Sequence, residues 1–137
     1  MNASTDRIAT LEPITRALCV EFLQQCAMQT LPVRVTQGLR TIAEQDALYA
    51  QGRTTPGKVV THARGGESPH NYGAAFDICC TQGAPYPEDL GWWEQVGEVG
   101  ERVGLLWGGR WQPGKRDLPH FERKDWRMLR GVGGSNA

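Results

Sequence analysis

The sequence predicts a small α+β domain in which an antiparallel sheet is flanked by helices. Three observations predict it. Ile14, Leu18, Cys19, Phe22 and Cys26 recur every three or four positions, the apolar stripe of a helix that faces a core. Val33-Arg34-Val35-Thr36-Gln37-Gly38 alternates apolar with polar and is rich in β-branched residues, and Ala74 to Cys80 is almost wholly apolar, so both read as strands. The chain has 137 residues, enough for a single domain with a core that needs no staple.

The first helix is expected from Pro13 to Thr30, since Pro13 suits a first helical turn and Pro32 cannot continue one. The strand Val33 to Gly38 follows, then Leu39-Arg40-Thr41 leads into a second helix over Ile42 to Gln51. From Gly52 to Glu67 there is no apolar periodicity, and Gly52, Pro56, Gly57, Gly65 and Gly66 mark a long surface loop. Loops of that length in a compact domain are usually functional or mobile. Ala74 to Cys80 carries one carboxylate in an apolar run, which reads as a buried central strand with Asp77 aimed into a site. Gly83 to Pro87 is a turn. Trp92, Val96, Val99 and Val103 define a third helix, with Glu94, Glu98, Glu101 and Arg102 on its wet side. Leu105-Leu106-Trp107 reads as a strand, Gly108 to Gly114 as a loop, and His120 to Arg123 as a last strand. The glycine-rich stretch 131–137 is expected to fray. No internal repeat or second domain is visible, and residues 1–137 read as one domain.

Composition excludes several classes. Lysine and arginine number 15 and aspartate and glutamate 15, so no net field draws the chain to nucleic acid or an anionic membrane. No apolar run approaches the 18 or so residues of a membrane-spanning helix. The start, Met1-Asn2-Ala3-Ser4-Thr5-Asp6-Arg7, lacks the basic-then-apolar layout of a secretion signal, so a cytoplasmic location is expected. Cys19 and Cys26 share a helix face and Cys79 and Cys80 are adjacent; none has C-x-x-C spacing, and all four read as buried free thiols.

Chemistry concentrates in Ser68-Pro69-His70-Asn71-Tyr72-Gly73-Ala74-Ala75-Phe76-Asp77, which sets an imidazole and a carboxylate seven residues apart. A lone histidine in a loop is more often solvated than a ligand. An ionised aspartate inside an apolar strand is harder to dismiss, because left unpaired it costs several kcal/mol. His120 follows 43 residues later, in Asp117-Leu118-Pro119-His120-Phe121-Glu122. Two imidazoles and a carboxylate are a zinc donor set that keeps a fourth position for water. A base for that water must itself not be a ligand. Asp117, three residues before His120 across a turn, is favoured, and Glu122 could instead orient a ligand histidine or form an ion pair. His62 lies in the long loop and reads as surface or substrate-facing, with no metal role.

The pattern Ser68-x-His70-x-x-Gly73-x-Ala75-x-Asp77 with a later Asp117-x-x-His120 resembles the LAS-type zinc peptidases. These comprise D-alanyl-D-alanine carboxypeptidases and dipeptidases and L-alanyl-D-glutamate peptidases that cut bacterial cell-wall peptides. The resemblance extends to Gly38-Leu39-Arg40-Thr41, Glu44-Gln45, Leu48-Tyr49, Trp107-Gly108-Gly109 and Pro119-His120-Phe121-Glu122, covering about residues 33–124. The order of motifs is most similar to the L-alanyl-D-glutamate endopeptidases of phage endolysins.

The resemblance implies a fold like that of the D,D-peptidases and hedgehog-type domains. It implies His70, Asp77 and His120 as Zn²⁺ ligands and Asp117 as the acid–base residue. It implies Arg40 as a substrate and oxyanion partner, and Ser68 as a residue that holds substrate or the site. A monomer acting on peptidoglycan stem peptides is expected, held in the host cytoplasm until lysis. A D,D-carboxypeptidase or dipeptidase of the same fold, and a zinc-containing module without catalysis, are the competing expectations. Arg110 stands where many relatives carry an acidic residue, which touches the charge preference of the groove. Among the tryptophans, Trp92 is expected in the core and Trp107 and Trp111 in the groove.

Overall fold

The computed structural model describes residues 3–131. Four strands form one sheet in the order β1-β2-β4-β3, with every pairing antiparallel. They are β1 (Val33–Gln37), β2 (Ala75–Cys80), β3 (Leu105–Trp107) and β4 (His120–Arg123). Four α-helices accompany them: α1 (Ala3–Ala9), α2 (Pro13–Met28), α3 (Ile42–Ala50) and α4 (Leu90–Val103). The expected α+β architecture is present, with β2 and β4 at its centre.

Helix α2 starts where Glu12, as N-cap, accepts the backbone N–H groups of Thr15 at 2.6 Å and Ile14 at 3.1 Å. Its buried face is Thr15, Cys19, Phe22 and Cys26, whereas Ile14 is exposed. The stripe is therefore rotated from the expected one, because the Thr15 hydroxyl bonds Glu12 and can be buried satisfied. Helix α1 was not expected: its polar run has no apolar stripe, and it is held by docking on β1, where the Ser4 hydroxyl accepts the Val35 N–H at 3.0 Å. On α4 the fully buried indole is Trp93, not Trp92; Trp92 packs edge-on against it at 4.7 Å, partly exposed. All four cysteines are buried free thiols, and burial pushes the Cys19 and Cys26 thiols up to about 12. The frayed stretch expected at 131–137 lies, from 132 onward, outside the described residues; just before it, Trp126–Gly131 forms a 3₁₀ turn.

One face of the sheet carries Phe76, Ile78, Phe121, Leu105 and Trp107 into a core with Phe22, Val96 and Val99 from α2 and α4. The rings of Phe22, Phe76 and Phe121 meet with centroids 4.7 to 5.7 Å apart. Helix α4 lies close because Gly97 and Gly100 face the Trp107 and Phe121 rings, and a Cβ at either would fall inside a ring. Gly97→Ala is expected to destabilise. Overpacking costs about 1–3 kcal/mol, which exceeds the gain of up to about 1 kcal/mol in helix propensity. The check is the urea midpoint, and an unchanged or higher midpoint would show that the Trp107 ring yields freely. Alternation then sends Asp77, His120 and Glu122 to the opposite face, away from this core.

Candidate metal centre and active-site cleft

Strand register brings the first two groups together. In the β2–β4 pair Asp77 stands opposite His120 and Ala75 opposite Glu122, so the three polar side chains share one face. His70 arrives from outside the sheet on a 3₁₀ turn, Pro69–Tyr72. Ser68 caps that turn, its hydroxyl accepting the His70 N–H at 3.2 Å, and Pro69 presets the first φ. Gly73 ends it in the left-handed region at φ +66°, where a Cβ would also lie 2.9 Å from the Glu12 nitrogen. Gly73 thus lets the backbone turn tightly between His70 and Asp77.

His70 Nε2 lies 3.4 Å and His120 Nδ1 3.2 Å from the same oxygen, Asp77 Oδ1. All three ligand atoms fall within 4.8 Å of one another, and the two histidines are almost fully buried. The remote ring nitrogens are anchored. His70 Nδ1 is 2.9 Å from the Gly38 carbonyl, and His120 Nε2 is 2.7 Å from Glu122 Oε1. Those bonds fix the rings so that Nε2 of His70 and Nδ1 of His120 aim at the shared point. This donor set fits Zn²⁺: two oriented imidazole nitrogens and a carboxylate oxygen, with both nitrogen-to-oxygen separations close to the roughly 3.3 Å edge of a tetrahedron of about 2 Å bonds.

Two titrations bear on that site. Burial alone would raise the Asp77 pKa, but His70 and the bonds from both histidines hold it far below the carboxylate range. Burial opposes charge on His120, yet its bonds to Asp77 and Glu122 push it up to about 10. In the metal-free protein His120 therefore keeps a proton on both nitrogens at neutral pH, and a ligand must give up the one on Nδ1. Zinc binding is expected to release about one proton from His120 between pH 7 and 9, so affinity rises about tenfold per pH unit. Calorimetry in buffers of different ionisation enthalpy reads the proton; a pH-independent affinity would contradict it. Glu122→Gln is expected to weaken zinc binding about 10- to 100-fold in chelator competition, with the fold retained by circular dichroism. Unchanged affinity would show that Glu122 does not orient His120.

Arg40 reaches the cleft by an unexpected route. A β-bulge between Val35 and Gln37 sets Gln37 opposite Asp77, where regular pairing would put Thr36. Gln37 Oε1 accepts Arg40 NH2 at 2.5 Å and Nε at 3.2 Å, and Gln45 Oε1 accepts NH1 at 2.7 Å. Gln45, fully buried, returns its amide N–H to the Ala63 carbonyl at 2.8 Å, tying the long loop to α3. Among the described residues Arg40 has no ion-pair partner within 4 Å, so neutral amides hold a cation that stays available for an anion. Asn71, also fully buried, stitches the histidine turn to this segment. Its oxygen accepts the Gly66 and Ser68 N–H groups, and its Nδ2 donates to the Arg40 and Thr41 carbonyls. Gln37, Gln45 and Asn71 were missed as site residues; uncharged side chains carry no chemical signature in a sequence.

Asp117 lines the same cleft, an open hollow of about 1160 Å³. Its N–H donates to the Gly108 carbonyl at 3.1 Å and its carbonyl accepts the His120 N–H at 3.2 Å. Gly108 has no room for a Cβ against the Asp117 carbonyl, which explains one glycine of the Trp107-Gly108-Gly109 element. One side of Asp117 is open to solvent, yet the cleft walls desolvate the carboxyl and raise its pKa; Asp77 adds to this, and His120, His70 and Arg40 oppose it. Of the two tryptophans expected in the groove, Trp111 is there, 5.1 Å from the His120 ring. Trp107 is not: it is fully buried, its Nε1 donating to the Leu118 carbonyl at 2.8 Å, because Gly97 and Gly109 open a slot for the ring. His62 is exposed, lines the cleft and is not part of the metal-ligating group. Arg110 also lines the cleft, but Glu101 of α4 binds it through Nε and NH2 at 3.0 and 2.9 Å.

A zinc-competent donor triad beside a desolvated carboxylate and an unpaired guanidinium is the arrangement of a metal-dependent hydrolase. Comparison with known proteins agrees. A profile of the M15 peptidases, described as D-alanyl-D-alanine carboxypeptidase, matches residues 61–123. The peptidoglycan L-alanyl-D-glutamate endopeptidase CwlK of Bacillus subtilis (strain 168) is 38% identical over 122 residues, covering 82% of this chain and 72% of that protein. The solved L-Ala D-Glu endopeptidase ChiX of Serratia marcescens superposes with a TM-score of 0.65 at 20% identity, over 93% of this chain and 90% of that one. The vancomycin-resistance D,D-pentapeptidase VanY, solved with Zn(II), gives 0.61 at 14% identity, over 92% and 81%. The last two likenesses concern the fold. The chain belongs to the M15 family of metallopeptidases.

Proposed function

We propose that the protein is a zinc-dependent endopeptidase that hydrolyses the L-alanyl-D-glutamate bond of peptidoglycan stem peptides. The observation that carries the chemistry is the convergence of His70 Nε2, Asp77 Oδ1 and His120 Nδ1 beside Asp117. The choice of bond is supported by the 38% identity to CwlK.

Zinc held by His70, Asp77 and His120 would supply Lewis acidity toward the scissile carbonyl and a lowered pKa for the attacking water. The chain's own groups do the rest. A carboxylate oxygen of Asp117 takes the proton of the attacking water and hands it to the leaving amine. The Arg40 guanidinium, held by Gln37 and Gln45, presents its charge to the oxygen that becomes negative. Ser68 acts through geometry, capping the turn that carries His70.

The test is mass spectrometry of purified peptidoglycan digested by the protein, with chelator and with zinc restored. Stem peptides newly cut after L-alanine, in the metal-replete sample alone, are expected. Release of D-alanine would instead make the protein a D,D-carboxypeptidase or dipeptidase with the same centre. The lysis role, as a monomeric phage endolysin kept in the host cytoplasm until late, rests on motif order alone. Expression in a Gram-negative cell tests it: lysis on membrane permeabilisation supports it, and none would remove it.

A further inference from the structure

Beyond the metal centre, the cleft wall next to Asp117 is cationic. The anionic residues lining the cleft are Asp77, Asp117 and Glu122, and two of these are engaged with the histidines. Of the cations, Arg110 is paired with Glu101. Lys115 and Arg116 are not: among the described residues neither has a carboxylate within 4 Å. Arg116 is nonetheless fixed, its Nε donating to the Gly109 carbonyl at 2.9 Å, and Lys115 sits on a turn closed by its N–H to the Gln112 carbonyl at 2.9 Å. That leaves the terminal guanidinium nitrogens of Arg116 and the Lys115 ammonium free on an exposed wall.

The position of this wall says which part of the substrate meets it. Lys115 and Arg116 immediately precede Asp117, the group that returns a proton to the leaving amine. The residue on the amine side of a scissile bond carries the nitrogen that Asp117 would protonate, so it is the part of the substrate to set against these neighbours in the same cleft. In an L-alanyl-D-glutamate bond that residue is D-glutamate, linked onward through its γ-carboxyl, so a free α-carboxylate lies next to the scissile nitrogen. We propose that Lys115 and Arg116 bind that α-carboxylate and make the enzyme discriminate a free D-glutamate from its α-amide. The inference rests on the endopeptidase reading above. A carboxamide of the same shape offers no charge and brings N–H donors toward two cations, so the wall rejects it as well as failing to attract it.

Two synthetic stem peptides test this, identical except that the D-glutamate α-group is carboxylate or carboxamide. The zinc-loaded wild type is expected to favour the carboxylate about 10- to 100-fold in kcat/KM, the span of one charge-assisted hydrogen bond. The preference shrinks as salt rises, since the wall is exposed. The double variant Lys115→Gln, Arg116→Gln brings the ratio close to one, and Arg116→Lys keeps most of it. A loosened loop would slow both peptides together and leave the ratio intact. A wild-type ratio near one, or a double variant that keeps the preference, overturns the inference. Failure of the underlying reading looks different: the wild type would cut neither peptide while releasing D-alanine from a pentapeptide, and the inference would fall with it.

Discussion

Asp117→Asn is expected to retain zinc and fold while kcat/KM on stem peptides falls about 10²- to 10⁴-fold, the range a positioned acid–base group supplies. The substitution is nearly isosteric. The bonds that place residue 117, to the Gly108 carbonyl and from the His120 N–H, are main-chain bonds that asparagine keeps. The carboxylate is no member of the donor triad, so metal content should match the wild type. Stability should not fall either. Desolvation raises the Asp117 pKa, which means the ionised form is disfavoured in the folded state, and a neutral amide removes that penalty. Zinc analysis, thermal melting and peptide cleavage on one preparation check all three. Activity near wild type would show that another group handles the proton.

His70→Ala should have the largest effect on the protein itself. Removing one of three ligands is expected to abolish zinc binding at micromolar metal, and with it the stabilisation that binding gives the native state. That linkage is about 4 kcal/mol when free metal is a thousandfold above its dissociation constant. The wild-type Tm should therefore fall on adding chelator, and the variant's should not respond. A second, metal-independent loss is expected as well. The buried Gly38 carbonyl loses the Nδ1–H of His70, and an unpaired buried acceptor costs about 1–3 kcal/mol. The variant should thus melt below even the chelated wild type. A variant whose Tm still rises with zinc would place the metal elsewhere.

Much of the site was legible because its groups are chemically conspicuous. Asp77 stands out as one carboxylate in the apolar run Ala74 to Cys80, and burial there demands a partner. His70, His120, Asp117 and Arg40 follow from residue type and motif order, and the structure lines the same cleft with all five. The groups that set the geometry were silent. Gln37 faces the site because a bulge shifts it one place, and alternation along Val33 to Gly38 holds no trace of that shift. Gln45 and Asn71 have no charge or metal-binding atom to mark a role for them in the sequence, and burial makes them braces. Trp107 was expected in the groove, but the slot for its ring is cut by glycines on α4 and in its own turn.

The sequence by itself determined the class of fold, the spans of the four strands and of α2, α3 and α4 to within a few residues, and the set of groups able to bind a metal and move a proton. These depend on local periodicity and on the chemistry of single side chains, both readable along the chain. Tertiary structure alone decided which nitrogen of each histidine faces Asp77, which amides hold Arg40, and which tryptophan lines the cleft. Those outcomes depend on strand register, on a bulge and on the close approach of α4 to the sheet, where partners such as Asp77 and His120 lie 43 residues apart in the chain and 3.2 Å apart in space.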